Sequence, residues 1–223
     1  MKKLYMIGLS LALALLLAAC GDKEEAQTEE PAVEISASER VDEDEIVAVV
    51  NGEEVKGNVY NLIYTQLKLY ATQIGDDIEL DEIKEAAVTS VVDRQIVLQE
   101  AEKIDMSVSD KEAEEYIEKL REESEEELET LLGQYQITEE EFKEQIKFEI
   151  TMNDYMNETV EVEVTDKELE EYYEKAKEGN DSIPSFDEAK TQLKKQLLAQ
   201  KTQETFQDNI DKVKEKSEID IKL

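Results

Sequence analysis

The sequence predicts a mainly α-helical protein that carries one small β element. Apolar side chains recur at intervals of three and four residues over most of the chain, which is the pattern of amphipathic helices. The 223 residues include only 7 glycines and 2 prolines, so few positions interrupt those helices. Aromatic residues make up 6% and tryptophan is absent, which predicts an aliphatic core. The length suits one domain of moderate size or two small ones.

The β element is predicted from two short stretches that lie far apart in the sequence. Residues 46–56 read I-V-A-V-V-N-G-E-E-V-K, in which an apolar run precedes Asn51 and Gly52, a strong hairpin signal. A lone hairpin is marginally stable, so we expect a third strand. Residues 218–223, E-I-D-I-K-L, alternate strictly between polar and apolar side chains. We therefore predict that this stretch pairs with residues 46–50 and joins the two ends of the domain.

Seven helices are predicted between these strands. Their approximate bounds are 58–74, 81–104, 110–122, 125–132, 139–160, 166–178 and 186–216. The second is apolar around most of its circumference, which predicts a buried central helix. The last is long and amphipathic, which predicts an arm or brace. Four helix starts carry the capping box S/T-x-x-E: Ser109 to Glu112, Thr138 to Glu141, Thr165 to Glu168 and Ser185 to Glu188.

The first 20 residues have the layout of a secretory signal. Lys2 and Lys3 precede an apolar run that is shorter than a comfortable membrane span. The run ends in L-A-A-C, which resembles a bacterial lipobox and contains the one cysteine of the chain, Cys20. The resemblance implies that residues 1–19 are a signal peptide, cleaved between Ala19 and Cys20, and that Cys20 carries a thioether-linked diacylglycerol. The alternative is a buried or chance cysteine in an uncleaved anchor.

The following segment, residues 20–45, is acidic and poor in large apolar residues. It lacks clean periodicity, and such a composition cannot bury enough apolar surface to fold alone. We predict that it is a disordered tether between the lipidated residue and a folded domain that begins at residue 46.

Charge and residue usage exclude several functions. The chain holds 58 Asp and Glu against 25 Lys and Arg, a formal charge of −33, which repels nucleic acids. This acidity serves solubility or attracts cationic partners. Histidine is absent, so there is no imidazole base, no histidine-activated nucleophile and no common zinc site. The sequence also contains neither a calcium-binding loop motif nor a nucleotide-binding glycine loop, and we expect no cofactor or metal.

An ordered series of motifs carries a resemblance to a known family. The motifs are V-A-V-V-N-G-E-E-V, V-V-D-R-Q-I-V-L-Q-E-A-E, V-S-D-K-E, I-T-E-E-E-F-K-E-Q-I and V-T-D-K-E-L-E-E-Y-Y-E-K. With the lipobox in front of it, the series resembles the chaperone domain of PrsA-type foldase lipoproteins and of the periplasmic chaperone SurA. The resemblance covers residues 46–178 and resumes at S-F-D-E-A-K, after residue 184.

In PrsA-like proteins a parvulin prolyl-isomerase domain is inserted between these two blocks. Here only G-N-D-S-I-P, residues 179–184, stands in that place, which is too short for a domain. The resemblance therefore implies a body at 46–178, a joint at 179–184 and an arm at 185–223. The alternative is an ordinary turn between two helices, and both interpretations predict that no catalytic unit is present.

The resemblance implies a membrane-anchored, ATP-independent chaperone that binds unfolded secreted proteins in a cleft between body and arm. Its location would be the outer face of the cytoplasmic membrane in a single-membrane bacterium, with neither nucleotide nor nucleic acid as a partner. One alternative is a prolyl isomerase, which the missing domain and the missing histidines disfavour. Another is a surface adaptor that grips one fixed partner with the same helices.

Methionine and aromatic side chains are the candidates for contact with unfolded clients, because methionine adapts to varied partners. Most lie on a second face of the predicted helix 139–160. The candidates are Phe148, Met152, Tyr155, Met156, Tyr172 and Tyr173. The competing interpretation is that these residues are simply core.

Overall fold

The computed structural model describes residues 35–74, 79–178 and 184–223. The predicted signal peptide, Cys20 and residues 179–183 of the predicted joint lie outside the described residues. Within the described part of the chain there are seven α-helices and one three-stranded sheet, so the predicted mainly α fold is confirmed.

The helices and strands lie close to their predicted positions. The helices are α1 Gly57–Gln73, α2 Leu80–Glu102, α3 Asp110–Glu123, α4 Glu125–Tyr135, α5 Glu139–Thr159, α6 Asp166–Glu178 and α7 Phe186–Lys214. The strands are β1 Ile46–Val50, β2 Glu53–Lys56 and β3 Ile219–Ile221, and a short 3₁₀ helix lies at Ala37–Glu39. The capping boxes form as predicted; for example, Glu112 N donates to Ser109 Oγ and Ser109 N donates back to Glu112 Oε2.

The sheet is antiparallel with strand order β2-β1-β3, which confirms the predicted pairing of the two ends of the domain. Val50 lies opposite Ile219 and Ala48 opposite Ile221. The hairpin turn places Asn51 at φ 53° and Gly52 at φ 89°, the left-handed geometry that tight hairpins require.

The chain divides into two units. The first unit holds the described residues up to Met152 together with Lys216–Leu223. One of its cores joins the sheet to α1 and α2, and includes Val47, Val55, Tyr64, Ala87 and Val91. A second core joins α3, α4 and α5, and consists of Ala113, Ile117, Leu128, Phe142 and Ile146 with partly buried neighbours. Buried side chains occur along the whole of α2, as predicted for a central helix.

The second unit, Asn153–Glu215, contains the end of α5 together with α6 and α7. Its apolar core is formed by Leu169, Tyr173, Ala189, Leu193 and Leu197. Two ion pairs join α6 to α7 beside this core. Lys190 lies 3.2 Å from Asp166, and Lys201 lies 2.5 Å from Glu168. The predicted long helix is confirmed, since α7 runs for 29 residues.

The segment just before β1 departs from the prediction. Residues 35–45 were predicted to belong to a disordered tether, yet Ile35 and Val41 pack against the core of the first unit. The Asn61 side chain accepts from the backbone N–H of Val41 and donates to its carbonyl, at 3.0 and 2.9 Å. The predicted boundary at residue 46 is therefore too late. The cause is that distant polar side chains hold this acidic segment, a contribution that composition does not reveal.

Candidate binding surface

Three of the six predicted client-contact residues lie in cores. Phe148 and Met152 in α5 are 8% and 7% exposed, and Tyr173 in α6 is 8% exposed. The Tyr173 hydroxyl donates to the Pro184 carbonyl at 3.1 Å, and its ring meets the Phe186 ring edge-on at 5.3 Å. These three side chains are buried, which favours the core interpretation for them over the prediction of client contact.

The other three predicted residues are half-buried and all lie in the second unit. Tyr155 contacts the Phe206 ring edge-on, with 6.1 Å between ring centroids, and Met156 follows it in α5. Tyr172 packs at the margin of the core that contains Leu169. Each therefore presents part of an aromatic ring or a thioether to solvent from a fixed position, which suits adaptable apolar contact.

A buried arginine ties two helices of the first unit together. Arg94 in α2 is 8% exposed, and its guanidinium donates to Gln145 Oε1 at 2.5 Å and to the Glu144 carbonyl at 3.2 Å. The central carbon of the guanidinium group, Cζ, lies 4.1 Å from the centroid of the Phe148 ring, which is cation–π geometry. Burial lowers the pKa of Arg94 to about 10, partly opposed by the nearby carboxylates of Glu149 and Glu144, so the group stays charged at neutral pH.

Glu149, a half-buried residue of α5, completes this network. Burial raises the pKa of its carboxyl, while a hydrogen bond of 2.9 Å from the Gln145 amide and the charge of Arg94 lower it. The side-chain amide of Gln145 thus bonds both to the Arg94 guanidinium of α2 and to the Glu149 carboxylate of α5. Because the contacts run between packed helices, the network orients Phe148 and its neighbours within the core of the first unit.

The outer side of the first unit is strongly acidic around α3. A shallow depression of about 350 Å³ lies between α3 and the start of α5, and its lining includes Glu114, Glu118, Glu139, Glu140 and Lys143. Arg121 crosses its edge, donating to Glu139 at 2.7 Å and also pairing with Glu118. This surface favours neutral or cationic partners and repels anionic ones.

Large apolar side chains are exposed at a few described positions. They are Ile74, Leu80, Ile104, Leu198, Ile221 and Leu223. Two of these, Ile221 at 40% and Leu223 at 50%, lie in or next to β3, whose Ile219 is half-buried. The margin of the sheet therefore presents apolar side chains beside a strand.

Sequence reasoning identified neither the Arg94 network nor the exposed margin of the sheet. A signal for the first was present, because D-R-Q interrupts an otherwise apolar stretch of α2. For the margin of the sheet, the strict alternation of residues 218–223 predicts a strand with an apolar face. The alternation does not show how much of that face other residues cover.

The described ranges 35–74, 79–178 and 184–223 contain neither a cluster of metal-ligating side chains nor a helix suited to cross a membrane. No group of three His, Cys, Asp or Glu side chains there is arranged to hold a metal ion. None of the helices in those ranges combines the length and the apolar character that crossing a membrane requires.

Comparison with known proteins identifies similar sequences. The family described as SurA-like N-terminal domain matches residues 27–156. The foldase protein PrsA of Caldanaerobacter subterraneus subsp. tengcongensis is 32% identical over 146 residues, which covers 60% of this chain. The same alignment covers 44% of the PrsA protein, so the matched region spans less than half of that relative.

Proposed function

The chain belongs to the family of SurA-like N-terminal domains, and from this membership we propose that it is an ATP-independent holdase, a chaperone that binds unfolded proteins and delays their aggregation. The match over residues 27–156 carries the proposal, because it places this chain among chaperone and foldase proteins. Its clients are unfolded or partly folded secreted proteins.

The half-buried side chains of the second unit support this proposal. Tyr155, Met156 and Tyr172 offer apolar contact without strict shape requirements, which suits a partner that has no fixed structure. The acidic surface keeps the chaperone soluble while a client with exposed apolar segments is bound.

We propose further that this chain is not a prolyl isomerase. The residues that would separate its two blocks, 179–184, are too few to form a domain. The chain also has no histidine to serve as a catalytic acid or base. Any isomerase activity of PrsA-named relatives is therefore not transferred to this chain.

The proposed location is the outer face of the cytoplasmic membrane, held by a lipid on Cys20. Two acyl chains are sufficient for stable anchoring, whereas one is marginal. Cys20→Ser should abolish incorporation of labelled fatty acid and lipoprotein-type processing in the producing cell. Labelling at the wild-type level would show that Cys20 is not the lipidated residue.

Two assays with the purified protein test the function. In a light-scattering assay with several unrelated unfolded proteins, we expect protection that rises with the molar ratio of chaperone and needs no ATP, because binding acts by mass action on the unfolded state. In a refolding assay limited by proline isomerisation, we expect no acceleration.

The outcomes separate the candidate functions. Absence of protection at several-fold molar excess would overturn the holdase, and faster proline-limited refolding would identify an isomerase. Protection of one protein among many unrelated ones would instead identify an adaptor with a single partner.

A further inference from the structure

The outer edge of β3 has a defined hydrogen-bonding pattern. Asn51 N donates to the Glu218 carbonyl at 2.8 Å, and Lys222 N donates to the Val47 carbonyl at 3.0 Å. Residues 218, 220 and 222 therefore direct their backbone groups toward β1. Because these directions alternate along a strand, Ile219 and Ile221 direct their N–H and C=O groups away from β1.

This outer edge has no strand beside it in the described part of the chain, where the order is β2-β1-β3. The side chains of Ile219 and Ile221 lie on the same sheet face as Val50 and Ala48, their directly opposite partners. Val50 and Ala48 are fully buried, yet Ile221 is 40% exposed. A further strand beside β3 would thus extend an existing apolar face.

We propose that this edge binds an extended segment of an unfolded client by strand addition, with the segment's apolar side chains on the face of Ile221. The proposal rests on the holdase function and specifies how part of a client is held. Main-chain hydrogen bonds provide contact that does not depend on client sequence, and the alternating face adds a preference for alternating apolar residues. The side chains that alternate with them would be neutral or basic.

Charge and size favour a client over a second copy of this chain. Each copy carries a formal charge of −33, so two copies repel each other, whereas a basic or neutral segment is not repelled. β3 has only three residues, so strand pairing between two copies alone would fall well below the ~1,200 Å² of a stable protein interface. A short edge suits a transient contact made alongside others on the same client.

The geometry permits a variant that alters one edge of β3 alone. Ile221→Pro removes an N–H that points away from β1 and leaves the Lys222 and Asn51 bonds in place. Ile221→Ala is the matched control, because it removes most of the side chain but retains the N–H. The probe is a fluorescein-labelled ten-residue peptide that alternates valine and lysine, and its binding is measured by fluorescence anisotropy.

We expect Ile221→Pro to bind this peptide about fivefold more weakly than Ile221→Ala, the effect of one lost hydrogen bond. In an antiparallel addition, the peptide residues that bond to Ile221 are valines, because directly opposite side chains share a face. N-methylation of the valines should therefore abolish binding, whereas N-methylation of the lysines should leave it unchanged. Equal binding by the proline and alanine variants would overturn the proposal.

Hydrogen exchange of the wild-type chain supplies a test that needs no variant. Without peptide, the Ile221 amide should exchange rapidly and the Lys222 amide slowly. Saturating peptide should slow exchange at Ile221 at least tenfold and leave Lys222 unchanged. No change at Ile221 under saturation would also overturn the proposal.

The results remain separable from those that test the holdase itself. Protection from aggregation without peptide binding at Ile221 would retain the holdase and reject the edge. Peptide binding at Ile221 without protection would retain the edge and reject the holdase. Sedimentation that shows a wild-type dimer, lost in Ile221→Pro, would assign the edge to a second copy and overturn the client as its occupant.

Discussion

The carboxylate of Glu39 accepts a hydrogen bond of 2.7 Å from the hydroxyl of Tyr64, a side chain that is completely buried in α1. Lys68, one turn further along α1, forms an ion pair with the same carboxylate, and Ser36 N donates to it at 2.8 Å. Burial alone would raise the pKa of Glu39, but these hydrogen bonds together outweigh it and lower the pKa to about 2. One acidic residue thus fastens the segment before β1 to α1.

Glu39→Gln should therefore destabilise the first unit by about 1–3 kcal/mol, because bonds to a charged acceptor are replaced by bonds to a neutral one. The loss should depend on pH. A carboxyl with a lowered folded pKa contributes stability above its unfolded pKa of about 4.5 and loses it as the pH falls toward 2. Urea midpoints from pH 7 to pH 2 should show wild type and variant converging.

Asp44→Asn is the control for Glu39→Gln. The exposed Asp44 carboxylate forms a surface ion pair of 3.0 Å with Lys56, so its loss should cost less than about 1 kcal/mol. A Glu39→Gln variant with the same unfolding midpoint as wild type at pH 7 would show that the segment before β1 is not fastened by this carboxylate.

The segment before β1 passes so close to Gly57, the first residue of α1, that no side chain fits at this position. A Cβ atom at this position would lie 2.0 Å from the Asp42 carbonyl oxygen and 2.8 Å from a methyl group of Val41. Gly57→Ala should thus displace the segment and lower the free energy of unfolding by about 1–3 kcal/mol, the usual cost of overpacking a core. The measurement is the free energy of unfolding by urea.

Gly133→Ala is a matched control for Gly57→Ala. Gly133 lies inside α4, and a Cβ there would meet nothing within 4 Å. The change should leave stability unchanged or raise it by up to about 1 kcal/mol through helix propensity. Equal effects of the two substitutions would contradict the close contact between Gly57 and Asp42.

The local elements could be predicted because their signals lie in neighbouring residues. Asn51-Gly52 specifies the hairpin, and hydroxyl and carboxylate pairs such as Ser109 and Glu112 specify helix starts. The ordered part of the tether could not be predicted in this way. Its stability comes from Asn61 and Lys68, about 20 to 30 residues away in sequence, while its own acidic composition is typical of disorder.

Prediction of the binding surface was limited by a different cause. Periodicity assigns residues to a helix face but does not say which faces are covered. α5 is apolar on more than one face, so Phe148 and Met156 were indistinguishable in the sequence, although one is buried and the other half-buried. Similarly, Arg94 reads as a surface charge until its partners on α5 are known.

Removing Arg94 should lower the free energy of unfolding of the first unit, because Arg94 bonds α2 to α5. Arg94→Met leaves Gln145 and the Glu144 carbonyl without their donor and Glu149 without its nearby cation, which should cost about 1–3 kcal/mol for each buried acceptor that loses its hydrogen bond. Arg94→Lys should also destabilise, because a single amine cannot reproduce the fork or the contact with Phe148. Arg121→Lys, at an exposed ion pair, should cost less than about 1 kcal/mol.

The pH dependence of the stability of Arg94→Met should identify Glu149 as the carboxylate that has lost its nearby cation. Burial raises the pKa of this carboxyl, and loss of Arg94 should raise it further. A carboxyl with a raised folded pKa loses stability as the pH rises above its unfolded value, about 4.5. The stability of Arg94→Met should therefore fall as the pH rises above about 4.5, and adding Glu149→Gln should remove that slope. An unchanged slope in the double variant would assign it to another group.

Met152 and Tyr155, three residues apart on α5, should separate packing from client binding. Met152 is 7% exposed, so Met152→Ser opens a cavity and buries a hydroxyl, which should cost about 2–5 kcal/mol. Tyr155 is half-buried, so Tyr155→Ser should cost less, yet it should reduce protection in the light-scattering assay at equal protein concentration. Tyr155→Phe, which keeps the ring, should retain protection. If Tyr155→Ser protects as well as wild type while remaining folded, the half-buried face of α5 does not contact clients.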